Sequence, residues 1–548
     1  MPRKLIIGIL IALIINLLQA SFTPMTEDEA YYWLWSQNLD WGYFDHPPMV
    51  AWWISLGYSL FKNELGVRLL TVILNAFSFY WLWKILNPTD EKKENLFWAI
   101  FSSVLVIQTF GFLTTPDAPL LFFTLLYLYL LKRFVENKTW TNTLLLGFSF
   151  AGLMYSKYHG ILVILFTLLP LVKILWKNEK FYAAIMLGLL FYFPHFNWLF
   201  QHEFLPIRYH FLERSSDENF EWQKLFNYIG MVLLGCTPLL SFHLLKSILK
   251  FKPKWEFEKS LWCLAIFPCL FFLISTFKDN VQPQWLLISF LGMAMVGYLY
   301  FSRKKSFKGV VKLGFAGLGI VLLGRIALVV PGISPFRKYE NFGKNAGQFK
   351  MENAVFEKYQ EASLYKFYNP ERKAAIHRTL GNRRSQFNLW GWEEKLHGKT
   401  IQYVSPWIRG NQSFIGFKNR KYYIKEIPNY ISYDSVRIES VKEIKARPSD
   451  RISMKIQIQN HHAHPLELGD LTSLKLNLCF YQQLQYEIVH EIEIPMNQFI
   501  LKPKEIKTIP IEFSLPDRLG NFKACFGLKY SEIGTAYLSA PISIKIEQ

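Results

Sequence analysis

Apolar residues run in long blocks as far as Pro331, and then the pattern changes to polar text with period-2 alternation. A bilayer core about 30 Å thick takes about 20 apolar helical residues. The blocks therefore predict membrane spans at 4–21, 65–86, 96–115, 119–134, 142–158, 160–176, 181–200, 223–245, 260–277, 284–301 and 313–331, about 11 transmembrane helices. Beyond them, KMENAVFEKYQEASLYKFYN (350–369) has helical spacing, while TIQYVS and SFIGFK read as short strands. From about 436, VRIESVKEI, RISMKIQIQN, LKLNLCFYQ, YEIVHEIEI, KTIPIEFSL, FKACFGLKY and PISIKIEQ alternate strictly, the mark of an antiparallel β-sandwich. The expected organisation is a transmembrane domain (1–331), a small α/β unit (332–435) and a sandwich (436–548) that buries its own faces and folds alone as an accessory module.

Composition fits a membrane chain: 51% hydrophobic, 17% aromatic and only 19% charged over 548 residues. Five cysteines without a C-x-x-C pair exclude a disulfide scaffold or a cysteine zinc site. Cys479 and Cys525 lie in two predicted strands, and a bridge and two buried thiols are equally open readings. The net charge of +19 would suggest nucleic acid in a soluble protein. Here the basic residues sort by side. With Arg3 and Lys4 inside, the inner connections collect 21 Lys and Arg and the outer ones seven. This bias puts the N-terminus in the cytoplasm and residues 332–548 outside a cytoplasmic (inner) membrane, and it removes nucleic acid as a partner. The first apolar run is read as a retained anchor rather than a signal peptide.

Acids near a membrane are costly unless paired or functional. Asp28–Glu29, Asp45 before His46-Pro47-Pro48, and Asp117 in TTPDAPL all fall on the predicted outer face. Singly, each reads as a cap or a solvated loop. Together they share that face with Lys157, His202, Arg208, His210, Arg214 and Lys278, and carboxylates facing cations at a lipid boundary suit a reaction with a phosphate leaving group. Tyr31, Tyr32, Trp33 and Trp35 read as an interfacial belt. Weaker signals are His461, His462 and His464, read as solvated rather than metal-binding, and Arg325, read as snorkelling or hydrogen-bonded inside the last span. Of the triplets that match the glycosylation pattern, Asn137-Lys138-Thr139 falls on the predicted cytoplasmic side and Asn411-Gln412-Ser413 is a frequent chance match.

The segments DEAYYWLWSQNLDWGYFDHPPMVAWW, TTPDAPLLFF, YSKYHGILVIL, NWLFQHEF and DNVQPQWLLIS resemble, in order over roughly 22–300, bacterial members of glycosyltransferase family 39. These are related to the protein O-mannosyltransferases and, more distantly, to the lipid A aminoarabinose transferases. YQEASLYKFY and NRRSQFNLW extend the likeness weakly; the sandwich lies outside it. The resemblance implies a membrane-embedded GT-C fold and a polyprenyl-phosphate-linked sugar as donor, with a lipid, glycan or protein as acceptor. Asp28 matches the family's catalytic acid and is the expected general base of one inverting displacement. Glu29 and Asp45 would orient acceptor or base. His46, Asp117, Lys157, His202, Arg214 and Lys278 would bind substrate, with Lys157, Arg214 and Lys278 facing the phosphate. No cofactor is required, and a divalent metal at Asp28 and Asp117 is allowed. A transporter or lipid flippase is the main alternative, disfavoured because no internal duplication is visible and the acids cluster in outer loops. A catalytically idle receptor is a third reading, in which the acids need not converge.

Overall fold

The computed structural model describes residues 2–210, 221–278, 280–482 and 487–547. It divides into two compact units, Met1–Arg337 and Lys338–Gln548.

The first unit is helical. Among the described residues, seven helices are long and apolar enough to cross a bilayer: Arg3–Phe22, Glu64–Leu86, Asp117–Glu136, Glu179–Gln201, Glu256–Ser275, Pro283–Ser302 and Lys308–Val329. Side-chain caps set several of their starts. Asn63 accepts the Gly66 N–H and Asn178 the Phe181 N–H, each satisfying a donor that the first turn leaves over. Of the other four predicted spans, one is a single helix of the expected length and three are not. Trp140–Ser156 is a 17-residue helix, and the 160–176 block is a composite ending at Leu175. The other two blocks are broken: Glu91–Phe101 stops before Leu105–Phe110, and Trp222–Leu234 stops before Ser241–Lys250. The breaks answer each other, since the Leu105 N–H donates to the Cys236 carbonyl at 3.0 Å. Thr237 Oγ1 takes the Leu240 N–H and Ser103 Oγ bonds back to Ala99 and Ile100. Irregular backbone survives among apolar helices only when its polar groups are satisfied in this way. Apolar composition alone does not reveal such breaks.

Helices close where a side chain is missing. A Cβ on Gly147 would stand 2.8 Å from the Ala184 carbonyl, so Trp140–Ser156 packs tightly on Glu179–Gln201. Arg325 is hydrogen-bonded rather than snorkelling. Its guanidinium donates to the amide oxygens of Gln108 (2.7 Å), Asn16 (2.7 Å) and Gln19 (3.3 Å).

The second unit opens with the helix Arg337–Gly347 and a five-stranded mixed sheet: β1 (Asn353–Phe356), β2 (Lys373–Ile376), β3 (Ile401–Ser405), β4 (Gln412–Ile415) and β5 (Lys421–Ile427), in the order β2-β1-β3-β5-β4. β1 pairs in parallel with β2 and β3, and β5 runs antiparallel to both β3 and β4. The 350–369 segment is therefore β1 followed by a crossover helix, Tyr359–Tyr368, and not helical throughout. Its strand is short and apolar, which hides its period from a sequence reading.

The remaining strands form an eight-stranded and a three-stranded sheet. In the larger one Leu474–Gln482 lies antiparallel to Gly520–Tyr530, with Cys479 directly opposite Cys525. Both cysteines are buried free thiols. The sandwich does not keep its core to itself. Val355, Ala375, Tyr403, Tyr430 and Tyr433 belong to the same continuous cluster as Ile458, Leu476, Phe526 and Ile544. His377 bonds the Gly534 carbonyl at 2.6 Å and Arg378 donates to the Tyr537 carbonyl at 2.7 Å. The expectation of an independently folding module from 436 onward therefore gives way to one core shared by sheet and sandwich.

Candidate active site

The acid pair opens the helix Glu27–Ser36. Thr26 caps it, accepting the Glu29 N–H, and the Glu29 carboxylate accepts the Thr26 N–H in return. The same carboxylate takes Nε and Nη2 of Arg68 at 2.7 and 2.5 Å, and the Thr114 N–H at 3.0 Å. Arg68 spends its other donors on the carbonyls of Ala20, Thr23 and Pro24. All five guanidinium N–H groups are used, and both side chains are fully buried. Glu29, expected to orient acceptor or base, instead fixes the helix start and the 114 loop; it has no face toward solvent. Arg68, which falls inside the predicted 65–86 span, is its buried partner. Asp28 follows Glu27 on the same first turn but, about 100° away from Glu29 on the helix, is exposed.

The loop that Glu29 holds leads into Asp117, first residue of Asp117–Glu136. Thr114 is secured further by its hydroxyl contact with Thr71, at 2.7 Å. Lys157 Nζ bonds both Asp117 oxygens, at 2.8 and 3.0 Å, and the pair is buried. Two of the expected substrate ligands are thus each other's partner. A phosphate would compete with Asp117 for Lys157, and a metal at Asp117 would have to displace the ammonium. The site as built does not fit the allowed metal.

Next in sequence to Lys157, Tyr158 turns toward the second acid. Burial first, and then the charge of Asp45, push its hydroxyl above the usual range. Its oxygen lies 3.3 Å from Nε2 of His195, whose Nδ1 is 2.6 Å from the Trp41 carbonyl. Only an N–H can face that carbonyl, so the network assigns the proton to Nδ1 and makes Nε2 the acceptor of the Tyr158 proton. Asp45 itself is buried, and its carbonyl is 2.9 Å from Nε2 of His210. His46 lies between the rings of Tyr32 (6.1 Å) and His210 (5.8 Å).

The turn carrying Asp45 and His46 is stiff. Tyr43 stacks on Trp35 at 4.5 Å and 11°, and its hydroxyl bonds the Trp35 and Asn38 carbonyls. Gly42 has no Cβ because one would stand 2.4 Å from the Trp198 ring. Trp198 Nε1 donates to Asp40, and His202 stacks on the same indole at 4.0 Å. His202 therefore backs the wall formed by Trp198. His159 meets Trp285, so the YSKYHG and QPQW segments also converge.

Of the predicted residues, Glu29 is linked through the 114 loop to Asp117 and Lys157, Asp45 and His46 gather around His210, and Asp28 adjoins the first group by sequence. The two groups approach where Tyr158, next to Lys157, brings its ring 6.3 Å from that of His210. Lys278 stands exposed on the turn after Glu256–Ser275. Arg214 lies outside the described residues. Arg208, another outer-face cation, pairs with Glu203 at 3.2 Å. Sequence reading missed Arg68, Tyr158 and His195. Arg68 has a visible signal, a cation one turn into an apolar helix; the other two are common aromatic-segment residues with none.

A separate cluster joins Glu394, His462 and His464, with potential ligand atoms within 4.8 Å of one another. The lone pairs argue against a metal there. His462 Nε2 accepts the Ser435 N–H, leaving its proton on Nδ1 toward Glu394, and His464 Nε2 donates to the Ser432 carbonyl. His462 is buried, contrary to the solvated loop that its sequence neighbours suggest.

Solved membrane-protein structures share this fold. The structure of ArnT from Cupriavidus metallidurans in the apo state matches with a TM-score of 0.58 at 10% identity, over 76% of this chain and 97% of that one. The structure of the same protein bound to undecaprenyl phosphate matches with the same TM-score at 12% identity. In sequence, residues 45–198 match the family described as dolichyl-phosphate-mannose-protein mannosyltransferase. The lipid A galacturonosyltransferase RgtD of Rhizobium johnstonii is 26% identical over 198 residues, 34% of this chain and 41% of RgtD. An uncharacterised protein of Aquifex aeolicus is 29% identical over 185 residues, 32% of this chain and 36% of its own. These matches span about two fifths of the length of the curated relatives. The resemblance read from the motifs, and the GT-C fold it implies, are borne out.

Proposed function

We propose that this protein is a membrane glycosyltransferase that moves a sugar from a polyprenyl-phosphate donor to a hydroxyl of a lipid, glycan or protein acceptor. The name of RgtD favours a lipid acceptor. The observation that carries the reading is the division of labour in the acid pair: Glu29 is saturated by Arg68, so the neighbouring exposed Asp28 is held on a rigid helix start. A rigidly placed carboxylate is what a general base needs. Asp28 accepts the proton of the acceptor hydroxyl. The oxygen attacks the anomeric carbon as the bond to the phosphate oxygen breaks, configuration inverts, and polyprenyl phosphate leaves as an anion. No nucleotide pocket is needed for such a donor. Asp45 and Tyr158 offer acceptor oxygens for sugar hydroxyls, His46 and Tyr32 a ring wall, and Arg214 and Lys278 are the cations assigned to the phosphate.

The test incubates purified protein with radiolabelled polyprenyl-phosphate sugars (hexose, uronic acid and aminopentose) and envelope acceptors. Wild type should consume one donor, and Asp28→Asn should lose about 100-fold or more in turnover while retaining donor binding. Lipid translocation without consumption of any donor would favour the flippase reading. Near-normal turnover in Asp28→Asn would move the base to Asp45.

A further inference from the structure

A surface of the second unit carries chemistry that the transfer reaction does not use. Residues 406–421, PWIRGNQSFIGFKNRK, contain Arg409, Lys418, Arg420 and Lys421 and no acid. They form the loop after β3, then β4, then the turn into β5. Trp407 at the loop tip is 72% exposed and Ile415 51% exposed, and the four cations are exposed as well. The two tips adjoin, because the Arg420 guanidinium lies 5.3 Å from the Trp407 ring centroid. The turn is also pinned to the first helix of the unit. Phe417 stacks on Phe342 at 4.5 Å and 4°, and Asn345 donates to the Ile415 carbonyl. Phe417 further meets Tyr339, over which Lys338 sits.

That helix starts at Arg337, only eight residues after the last membrane-spanning helix ends at Val329. Fully extended, such a tether reaches about 30 Å, so the start of this helix stays within that distance of the end of the last span. Charge singles out this part of the unit. Residues 332–435 hold 18 Lys and Arg against 9 Asp and Glu, whereas 436–548 hold 14 against 13. An exposed Trp and an aliphatic residue ringed by cations, with no acid between them, match the boundary of an anionic bilayer. The indole inserts among the headgroups while the cations meet lipid phosphates.

We infer that Trp407, Ile415 and the cations Arg409, Lys418, Arg420 and Lys421 form a lipid-docking surface that seats the second unit on anionic phospholipid. The ligand is the bilayer itself, not the sugar donor, so the inference stands or falls apart from the proposed reaction.

The test places the full-length protein in nanodiscs of phosphatidylcholine alone or with about 30% phosphatidylglycerol. A nitroxide is attached at Trp407→Cys, and the signal of identically treated wild type is subtracted. In anionic discs the label should gain oxygen contact and lose contact with a water-soluble nickel chelate; in neutral discs it should remain in water. Each of Arg409→Gln, Lys418→Gln, Arg420→Gln and Lys421→Gln should lower the docked-to-undocked ratio about fivefold. A label at Leu471→Cys, on the sandwich and 90% exposed, should stay in water throughout. The inference is overturned if the Trp407 label stays in water in anionic discs, or is equally immersed in both lipids. It is also overturned if the label is shielded in detergent without lipid, which would point to a protein contact.

Discussion

At the scale of single residues, Arg68 and the Glu29 carboxylate each have five hydrogen bonds to lose. The five N–H groups of Arg68 have five oxygen acceptors, two on Glu29 and three on backbone carbonyls. Lysine keeps the charge but offers three donors from one atom and cannot span that arc. Arg68→Lys should therefore lower the detergent melting temperature by several degrees and reduce turnover with it. Glu29→Gln, which leaves a buried cation unpaired, should cost about 3–5 kcal/mol and show as loss of folded protein. Size-exclusion profiles and thermal scans in detergent check both; a stable Glu29→Gln variant with normal turnover would show that the pair is dispensable. The legibility of these residues in sequence was uneven for a physical reason. Asp28, Asp45 and Asp117 announce themselves because a carboxylate beside lipid is expensive. Sequence cannot say which acid is already paid off by a partner, and so Glu29 and Asp28 look alike until Arg68 is placed.

At the scale of elements, long helices are plain in the apolar blocks, while the breaks near Ser103 and Thr237 are not, because the bond that joins them, Leu105 N–H to the Cys236 carbonyl, spans more than a hundred residues. The α/β part of the second unit hides another such feature. Glu393 is buried beside Tyr430 and Ser432, whose hydroxyls meet its oxygens at 2.5 Å each. Burial, and secondarily the charge of Asp434, raise its carboxyl to about 8. A folded value above the unfolded one means that Glu393 supports the fold fully below about pH 4.5. That support is lost as pH rises through the interval up to about 8. Burial lowers His377, His397 and His462, which act in the opposite sense and weaken the fold as pH falls below about 6.5. The melting temperature of the second unit in the full-length protein should thus fall between about pH 6.5 and 8. Glu393→Gln should flatten that fall, and an unchanged slope in the variant would reject the assignment.

For the whole molecule, the charge bias predicts a cytoplasmic N-terminus and an external second unit. A C-terminal alkaline phosphatase fusion should be active; a silent but stably expressed fusion would reverse the arrangement. The shared core changes what truncation can achieve. Removing 436–548 strips the cover from Tyr403, Tyr430 and Tyr433, all buried against sandwich residues. The shortened protein should aggregate or be degraded, whereas truncation at Lys338 removes the whole second unit at its own boundary and should leave a membrane unit that is recoverable in detergent. Pulse-chase half-lives of the two truncations would decide, with equal persistence counting against the shared core. The sequence showed the sandwich because alternation is local. It could not show the shared core, since contacts such as His377 with Gly534 link residues 157 positions apart.

The Glu29–Thr114 bond also sets a timetable for biogenesis. The two residues are 85 positions apart, with Arg68 between them. At about 5–20 residues per second, the ribosome delivers the last partner on the order of 4–17 s after the first. Until then the guanidinium already has all its acceptors in the chain, but the carboxylate lacks the Thr114 N–H. The helix that carries Asp28 consequently acquires its final footing only when the third long span enters the bilayer, and a nascent chain stalled before residue 114 would display the acid without the site.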